Sequence, residues 1–375
     1  MWDVVVIGAG PAGALAAHQL ARRGMAVLLV DKADFPREKV CGCCLNRAAV
    51  QTLETVGLGS FIADLGGSPL HTFQLHTPRR SVNLPMRGGF SVSRSALDHA
   101  LASRAVEAGA EFMHGVNASL QGWDETWREI ELSGNNGQHI VRTHLVILAN
   151  GLGESRGRQL KLASHNRIGL AGISDDATSL APGVVHMAYH PRGYVGLVRL
   201  KDGRLNIAAA FDPTFPREKG GAAGAVAKVL RRCDLPLPAD LDSLTWRGTP
   251  YLTRRHGALG EHRLLRIGDA AGYVEPFTGE GIAWALMSAK AVTPFAVEAA
   301  RLWNHRIVAA WTAEHHRLIG KRQRFCRAVR QTLRHPVIVE SIAAGLTVAP
   351  TLAAPFLRWM DRPASHPRSG DLRWA

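Results

Sequence analysis

Cysteine is scarce in this 375-residue chain: five in all, with three bunched at Cys41, Cys43 and Cys44. An odd, clustered set excludes the paired framework of a small secreted domain and points to a reducing cytosol. No basic leader precedes the apolar N-terminus, which reads as a strand, so a cytoplasmic protein is expected. Residues 336–360 are apolar, but Glu340, Pro350 and Pro355 interrupt them, which suits two short helices better than a membrane span. No histidine pair lies close enough to the cysteines to complete a zinc set, so no metal is expected. Neither a Ser-His-Asp motif, an internal repeat nor a low-complexity tract is present. Acidic residues are also in short supply, 31 against 45 Lys+Arg, for a net charge of +14. Much of that excess lies in residues 301–334, among them Arg306, Arg317, Lys321, Arg322, Arg324, Arg327 and Arg330. No nucleic-acid motif accompanies the charge, so nucleic acid is not the expected partner. A solvated face, peripheral contact with an anionic membrane, or an acidic electron-donor protein are the open readings.

What is present begins at the first strand. Val4, Val5, Val6 and Ile7 form an apolar run, as expected for a buried parallel strand, and it stops at Gly8. Gly8, Gly10 and Gly13, with Pro11 and Ala12 between them, give G-x-G-x-x-G at the start of a helix. The spacing serves a tight turn, close approach of backbone to a pyrophosphate, and close packing of helix on strand. A second apolar run ends in Asp31, followed by Lys32, where a ribose hydroxyl needs an acceptor.

Further along, residues 45–56, 93–108 and 219–232 read as helices, and residues 68–85, 110–150 and 167–212 as strands. A short apolar strand at residues 264–267 opens onto Gly268-Asp269-Ala270-Ala271-Gly272, and from Gly279 onward the pattern is helical. The expected fold is α/β: a Rossmann-type nucleotide domain with an inserted antiparallel-sheet substrate domain and a helical C-terminus. The expected boundaries are 1–68, 93–165 and 260–300 for the first, 69–92 and 166–259 for the second, and 301–375 for the third.

The second glycine site carries its own chemistry. Asp269 is placed to bond a second sugar-like chain, and amides near Gly281 and Ile282 face a polarised ring. An NAD site has no use for this constellation; a flavin, with its ribityl chain and isoalloxazine, does. Here the chain resembles the FAD-dependent monooxygenase superfamily built on the p-hydroxybenzoate hydroxylase fold, and within it the geranylgeranyl reductase-like branch. Four motifs carry the resemblance: the first glycine site with Asp31; Pro36-Arg37-Glu38-Lys39-Val40-Cys41-Gly42, similar to a loop over the flavin; Arg94 with Asp98; and GDAAG followed by Pro276 to Ile282. It implies FAD as cofactor, Arg37, Lys39, Cys41, Gly42 and Arg94 near it, Asp269 on the ribityl chain, and Pro276, Gly279 and Gly281 beside the ring. Two departures are visible. Asn150 stands in Ala149-Asn150-Gly151 where the family has Asp-Gly, and Gly193-Tyr194-Val195-Gly196 has glycine where the branch has tryptophan. The W-x-W-x-I-P motif of the halogenase branch is absent, so halogenation is not expected.

Cys41 and Cys44 form C-x-x-C in the loop by the flavin, readable as an electron-exchanging dithiol or as small residues that let the loop pass close. Cys41, Gly42 and Pro276 are the candidates nearest the chemistry, and Arg192 and Tyr194 the candidates for substrate contact. The expectation is an FAD-dependent oxidoreductase acting on a hydrophobic small molecule, with NADPH or NADH as transient donor. Hydroxylation of an aromatic or polyketide-like substrate is placed ahead of isoprenoid double-bond reduction. A non-catalytic flavin electron carrier stands third.

Overall fold

The computed structural model describes residues 1–135, 137–153, 161–162, 166–176, 180–255, 257–275, 277 and 279–361. Its first half is organised by five parallel strands, side by side in the order Glu111–His114, Val27–Asp31, Trp2–Ile7, Gly137–Leu148 and Leu264–Arg266. Val4, Val5 and Val6 are fully buried, as are Leu28, Leu29 and Val30, because both faces of this sheet are covered. One face carries the helices Pro11–Ala21, Arg94–Glu107 and Gly281–Arg301, whose small residues allow close approach. The other face packs on an antiparallel meander formed by Asn117–Trp123, Arg128–Gly134 and the long strand Gly137–Leu148.

A second sheet has eight strands among the described residues. It takes in Cys44–Leu45, Ser68–His76 and Ser81–Ser91, then the strands from Ile168 to Tyr251. All its pairings are antiparallel except that of Val184–His190 with Ser68–His76. One face is closed by the helix Ala222–Arg232 over Val195, Leu197 and Ile207. The other carries Leu75, Met187 and Tyr194 and meets the C-terminal helices through Val339 and Ala343. The architecture is therefore a mixed α/β flavoprotein-type fold with a helical C-terminus.

Most helices fall where the periodicity puts them. Ser93 accepts a hydrogen bond from Ala96 N–H at the start of Arg94–Glu107, and Asn46 does the same for Arg47–Glu54. The helix expected over residues 219–232 starts later, at Ala222. Gly220 and Gly221, with φ of +76° and +113°, break the chain between it and the short helix Thr214–Glu218. Residues 336–360 form the helices Pro336–Val348 and Ala354–Met360 around a 3-10 turn. Among the described residues no single helix is long and apolar enough to cross a membrane.

Candidate active site

The site begins where the first strand stops. Gly8 turns the chain with φ of +104°, and a Cβ on Gly13 would strike the Gly8 carbonyl oxygen. The helix Pro11–Ala21 therefore starts pressed against the strand end. Its N-cap, Gly10, brings no capping side chain, so the first-turn amides are left for an anion. A Cβ on Gly10 would have Arg94 and Arg37 as its nearest neighbours, at 3.8 and 3.9 Å. Backbone amides on one side and two guanidiniums on the other form a pyrophosphate cradle.

A chain of ion pairs runs along this cradle. Asp31 accepts from Ala9 N–H (2.8 Å), Ala33 N–H (3.0 Å) and Arg37 Nη2 (3.1 Å). Arg37 Nη1 reaches Asp98 (2.9 Å), and Asp98 also receives a two-pronged fork from Arg94, at 2.9 and 2.7 Å. The fork follows from i,i+4 spacing on one helix face. Asp98 is fully buried, so its charge depends on both arginines.

At the far end of this chain lies Cys41. Its backbone carbonyl accepts from Asn206 Nδ2 (3.1 Å), and its sulfur accepts from Cys43 N–H (3.3 Å). The adjacent Cys43 thiol and then the Arg94 guanidinium favour the thiolate over the opposing effect of burial, bringing the pKa down to about 6. Its hydrogen bond to Cys41, and then burial, hold the Cys43 thiol well above the usual range, and burial followed by the Cys41 charge pushes Cys44 up to about 12. The Asp269 carboxyl is also raised, up to about 6, because burial outweighs the attraction of Arg94. Arg94, Cys41, Asp269 and Tyr273 are surrounded by protein. Each nonetheless keeps some accessible surface, so they line a recess rather than a packed core.

The residues fit an FAD. Arg37 Nε and Asn150 Oδ1 are buried beside the cradle without a hydrogen-bond partner, as expected of groups that a polar ligand completes. Asp31 offers the ribose acceptor, the helix start the anion site, and Asp269 the acceptor further along. The turn leading into Gly281–Arg301 is locked by Glu280, which accepts from Trp284 Nε1 and Arg322 Nη1, both at 2.8 Å.

Beyond the recess stands an aromatic and aliphatic wall. Tyr194 meets Phe277 edge-on at 4.9 Å, Phe73 meets Phe277 at 6.1 Å, and Leu75, Met187 and Leu252 complete the cluster. Behind it Arg167 pairs with Glu275 at 2.9 Å, both buried, with the guanidinium 5.7 Å from the Tyr194 ring centre. Burial keeps the Tyr194 phenol protonated well above its ordinary range.

The structure thus brings together Gly8, Gly10, Pro11, Ala12, Gly13, Asp31, Arg37, Cys41, Arg94 and Asp269. Lys39 belongs to the same neighbourhood, its amine lowered by burial and then by Arg37, against the pull of Asp31 and Asp98. A Cβ on Gly279 would lie 3.9 Å from Cys44, and Gly281 and Ile282 open the long helix behind it. Gly42 and Lys32 are solvent-exposed, and Pro276 lies outside the described residues. Arg192 lies apart from these residues. It follows a strand end, turns away, and is held by Glu218 and Thr214 over the Phe215 ring, so it does not join the wall that Tyr194 builds. The cysteines have a geometry of their own. Cys43, at φ of +54°, folds its amide onto Cys41, while the Cys44 thiol donates to Gly42 O (3.1 Å). Arg167, Asn206, Glu275 and Phe277 were missed as contributors. Only Glu275 and Phe277 had a signal, their place inside the second glycine motif.

A parallel nucleotide-binding sheet with an antiparallel insert and two glycine sites along one cleft defines a flavoprotein oxidoreductase. The FAD binding domain family matches residues 1–293, and the chain belongs to it. It is 30% identical over 322 residues to menaquinone reductase of Mycobacterium tuberculosis, covering 80% of this chain and 78% of that protein. It is 28% identical over 316 residues to digeranylgeranylglycerophospholipid reductase 2 of Methanopyrus kandleri, covering 80% and 77%. Among solved structures, a triple mutant of the flavin-dependent brominase Bmp2 superposes with a TM-score of 0.79 at 18% identity, covering 96% of this chain and 94% of that one. The halogenase PltM in complex with phloroglucinol and FAD gives 0.75 at 16% identity, covering 96% and 82%. Those two likenesses are of fold. The protein is an FAD-dependent oxidoreductase.

Proposed function

We infer that the reaction is the reduction of a carbon–carbon double bond in a hydrophobic, isoprenoid-type substrate. The observation that carries this reading is Cys41, an acidic thiol at the recess with an apolar wall beyond it. A thiolate of this acidity is a ready target for peroxides, and oxygenation chemistry would put one beside it. Reduction of an alkene needs a hydride and a proton, and no oxygen. The two curated relatives described above, both named as reductases, support the same choice over hydroxylation, which the sequence had placed ahead.

Bound in its reduced form, FAD would supply the hydride. The chain supplies the rest. Asp31, the Gly8–Gly13 turn and Asp269 bind the cofactor, while Arg94 and Asp98 hold the charge beside Cys41. Cys41 Sγ carries a proton at mildly acidic pH and is the group we assign to deliver it. Tyr194, Phe73, Phe277 and Met187 exclude water and contact the apolar chain, and Arg167–Glu275 fixes the wall from behind. The donor in this reading is a transiently bound NADPH or NADH, which would need no second dinucleotide cradle beside the one that FAD would occupy.

The test uses FAD-loaded protein, reduced without air and mixed with an isoprenoid-tailed quinone. A product whose two added hydrogens lie on the isoprenoid tail, and persist after the ring is reoxidised in air, supports the reading. Cys41→Ser then slows its formation with flavin content unchanged. Two hydrogens on the quinone ring alone would assign quinone reduction instead. A product heavier by one oxygen, formed only in air, assigns hydroxylation instead. Anaerobic bleaching of the flavin band on adding NADPH checks the donor.

A further inference from the structure

The C-terminal helix Pro336–Val348 presents a surface the reaction does not use. Val337, Ile338, Ile342 and Val348 are 79, 47, 46 and 87% exposed, and Leu352 in the next turn is 68% exposed. At 100° per residue the four on the helix share one face, where Ser341 and Gly345 are also exposed and no charge interrupts. The helix's one acid, Glu340, turns away from that face to accept from Thr77 Oγ1 (3.0 Å) and pair with Arg80 (3.7 Å). The opposite face is seated: Val339 and Ala343 pack into the cluster that holds Leu75, Tyr194 and Leu252. So the helix is about 10 Å of protein between an uncovered apolar surface and the wall of the active site.

A second observation lies next to it. A groove of about 330 Å³ is lined by Arg47, Arg87, Arg358 and Asp361, with Pro85 and Leu357 as its apolar part. All three arginines are exposed, and three guanidiniums outnumber the single carboxylate. The groove adjoins the helix, because the strand Ser81–Ser91 that carries Pro85 and Arg87 also contacts Pro336–Val348 and the Pro350–Ala353 turn. An apolar face beside an arginine-lined groove, on a chain of net charge +14, matches an anionic phospholipid surface in both of its parts.

We propose that residues 336–361 seat the protein on an anionic bilayer. The Val337–Val348 face and Leu352 enter the acyl boundary, and the groove of Arg47, Arg87 and Arg358 takes a phosphate headgroup. The seat brings the apolar wall to within one helix of the lipid, whichever reaction the flavin performs.

The experiment is sedimentation of the FAD-loaded full chain with vesicles of phosphatidylcholine alone or mixed with phosphatidylglycerol. The protein is expected to pellet with the anionic vesicles and to stay largely free with the neutral ones. Val337→Asp with Ile342→Asp should weaken binding on the order of a hundredfold. Arg87→Gln and Arg358→Gln should each weaken it about fivefold, on anionic vesicles only. All four positions are exposed, so flavin content and melting temperature should not change. Inorganic phosphate at matched ionic strength should release no more protein than chloride. Wild-type binding by all variants overturns the proposal, as does equal binding to neutral vesicles. Release by phosphate alone would reassign the groove to a free anion. A concentration-dependent dimer abolished by Val337→Asp, without vesicle binding, would assign the face to a second copy of the chain.

Discussion

Replacing Arg94 by Met should change the chemistry of Cys41 more than the stability of the fold. Met keeps much of the side-chain volume and removes the charge, while Asp98 retains Arg37 at 2.9 Å. The Cys41 thiol sits at about 6 instead of 9.0, with the Cys43 thiol as the largest cause and Arg94 the next favourable one. Loss of an opposite charge in contact raises an acid's pKa by roughly one to three, at about 1.4 kcal/mol for each. In the parent protein at pH 7, thiolate exceeds thiol about tenfold; in the variant the two are comparable or the thiol dominates. The assay is the rate of iodoacetamide alkylation against pH, read at Cys41 by peptide mass spectrometry on flavin-free protein. Cys43 and Cys44 do not compete, since both stay protonated in this range. The midpoint should move upward, and the rate near pH 6.5 should drop roughly tenfold. Arg94→Lys, which keeps the charge, should lie between the two. An identical midpoint in parent and Met variant would refute the reasoning, because it would leave Arg94 without influence on the thiol.

Three further outcomes follow from neighbouring features. The Asp269 carboxyl is raised from 3.8 to about 6, so the folded state binds the extra proton between those values and stability falls as pH rises through that window. Asp269→Asn should therefore stabilise the flavin-free protein at pH 7 by about 2–3 kcal/mol while weakening FAD retention; urea titrations at pH 4.5 and 7 check the sign. Gly13→Ala drives a Cβ into the Gly8 carbonyl and should cost at least about 1–3 kcal/mol together with bound flavin, seen as a lower melting temperature and a colourless protein. Arg167→Met alone strands Glu275 and should cost roughly 3–5 kcal/mol, whereas Arg167→Met with Glu275→Leu should recover most of it. A double variant no more stable than the single one would show that the pair does more than neutralise itself.

The parts of the site that are local in sequence were legible. The glycines, Asp31 and the start of the Arg94 helix declare themselves because turn geometry and capping act over three or four residues. What joins distant segments was not. Arg167 finds Glu275 across 108 positions, and Asn206 reaches the Cys41 loop across 165; each is set by sheet register, which no short pattern encodes. The cysteine cluster shows a subtler limit. Spacing alone drew attention to Cys41 with Cys44, while a positive φ at Cys43 brings its own amide onto the Cys41 sulfur. Arg192 was hard to place for a related reason: two residues past the end of the strand Val184–His190, its side chain is no longer bound to the alternation that aims Tyr194 inward.

The alternating run Asp31, Arg37, Asp98, Arg94 has a consequence for how such a protein can diverge. Two acids and two bases in contact sum to no net charge, and they link the acceptor at the adenosine end to the thiol at the other. Selection that altered nucleotide preference at Asp31 would release Arg37 onto Asp98, loosen the hold of Asp98 on Arg94, and so retune the acidity at Cys41 without touching it. Nucleotide preference and thiol acidity would then be inherited together. A lineage could alter one freely only after first cutting the run in the middle, at Asp98.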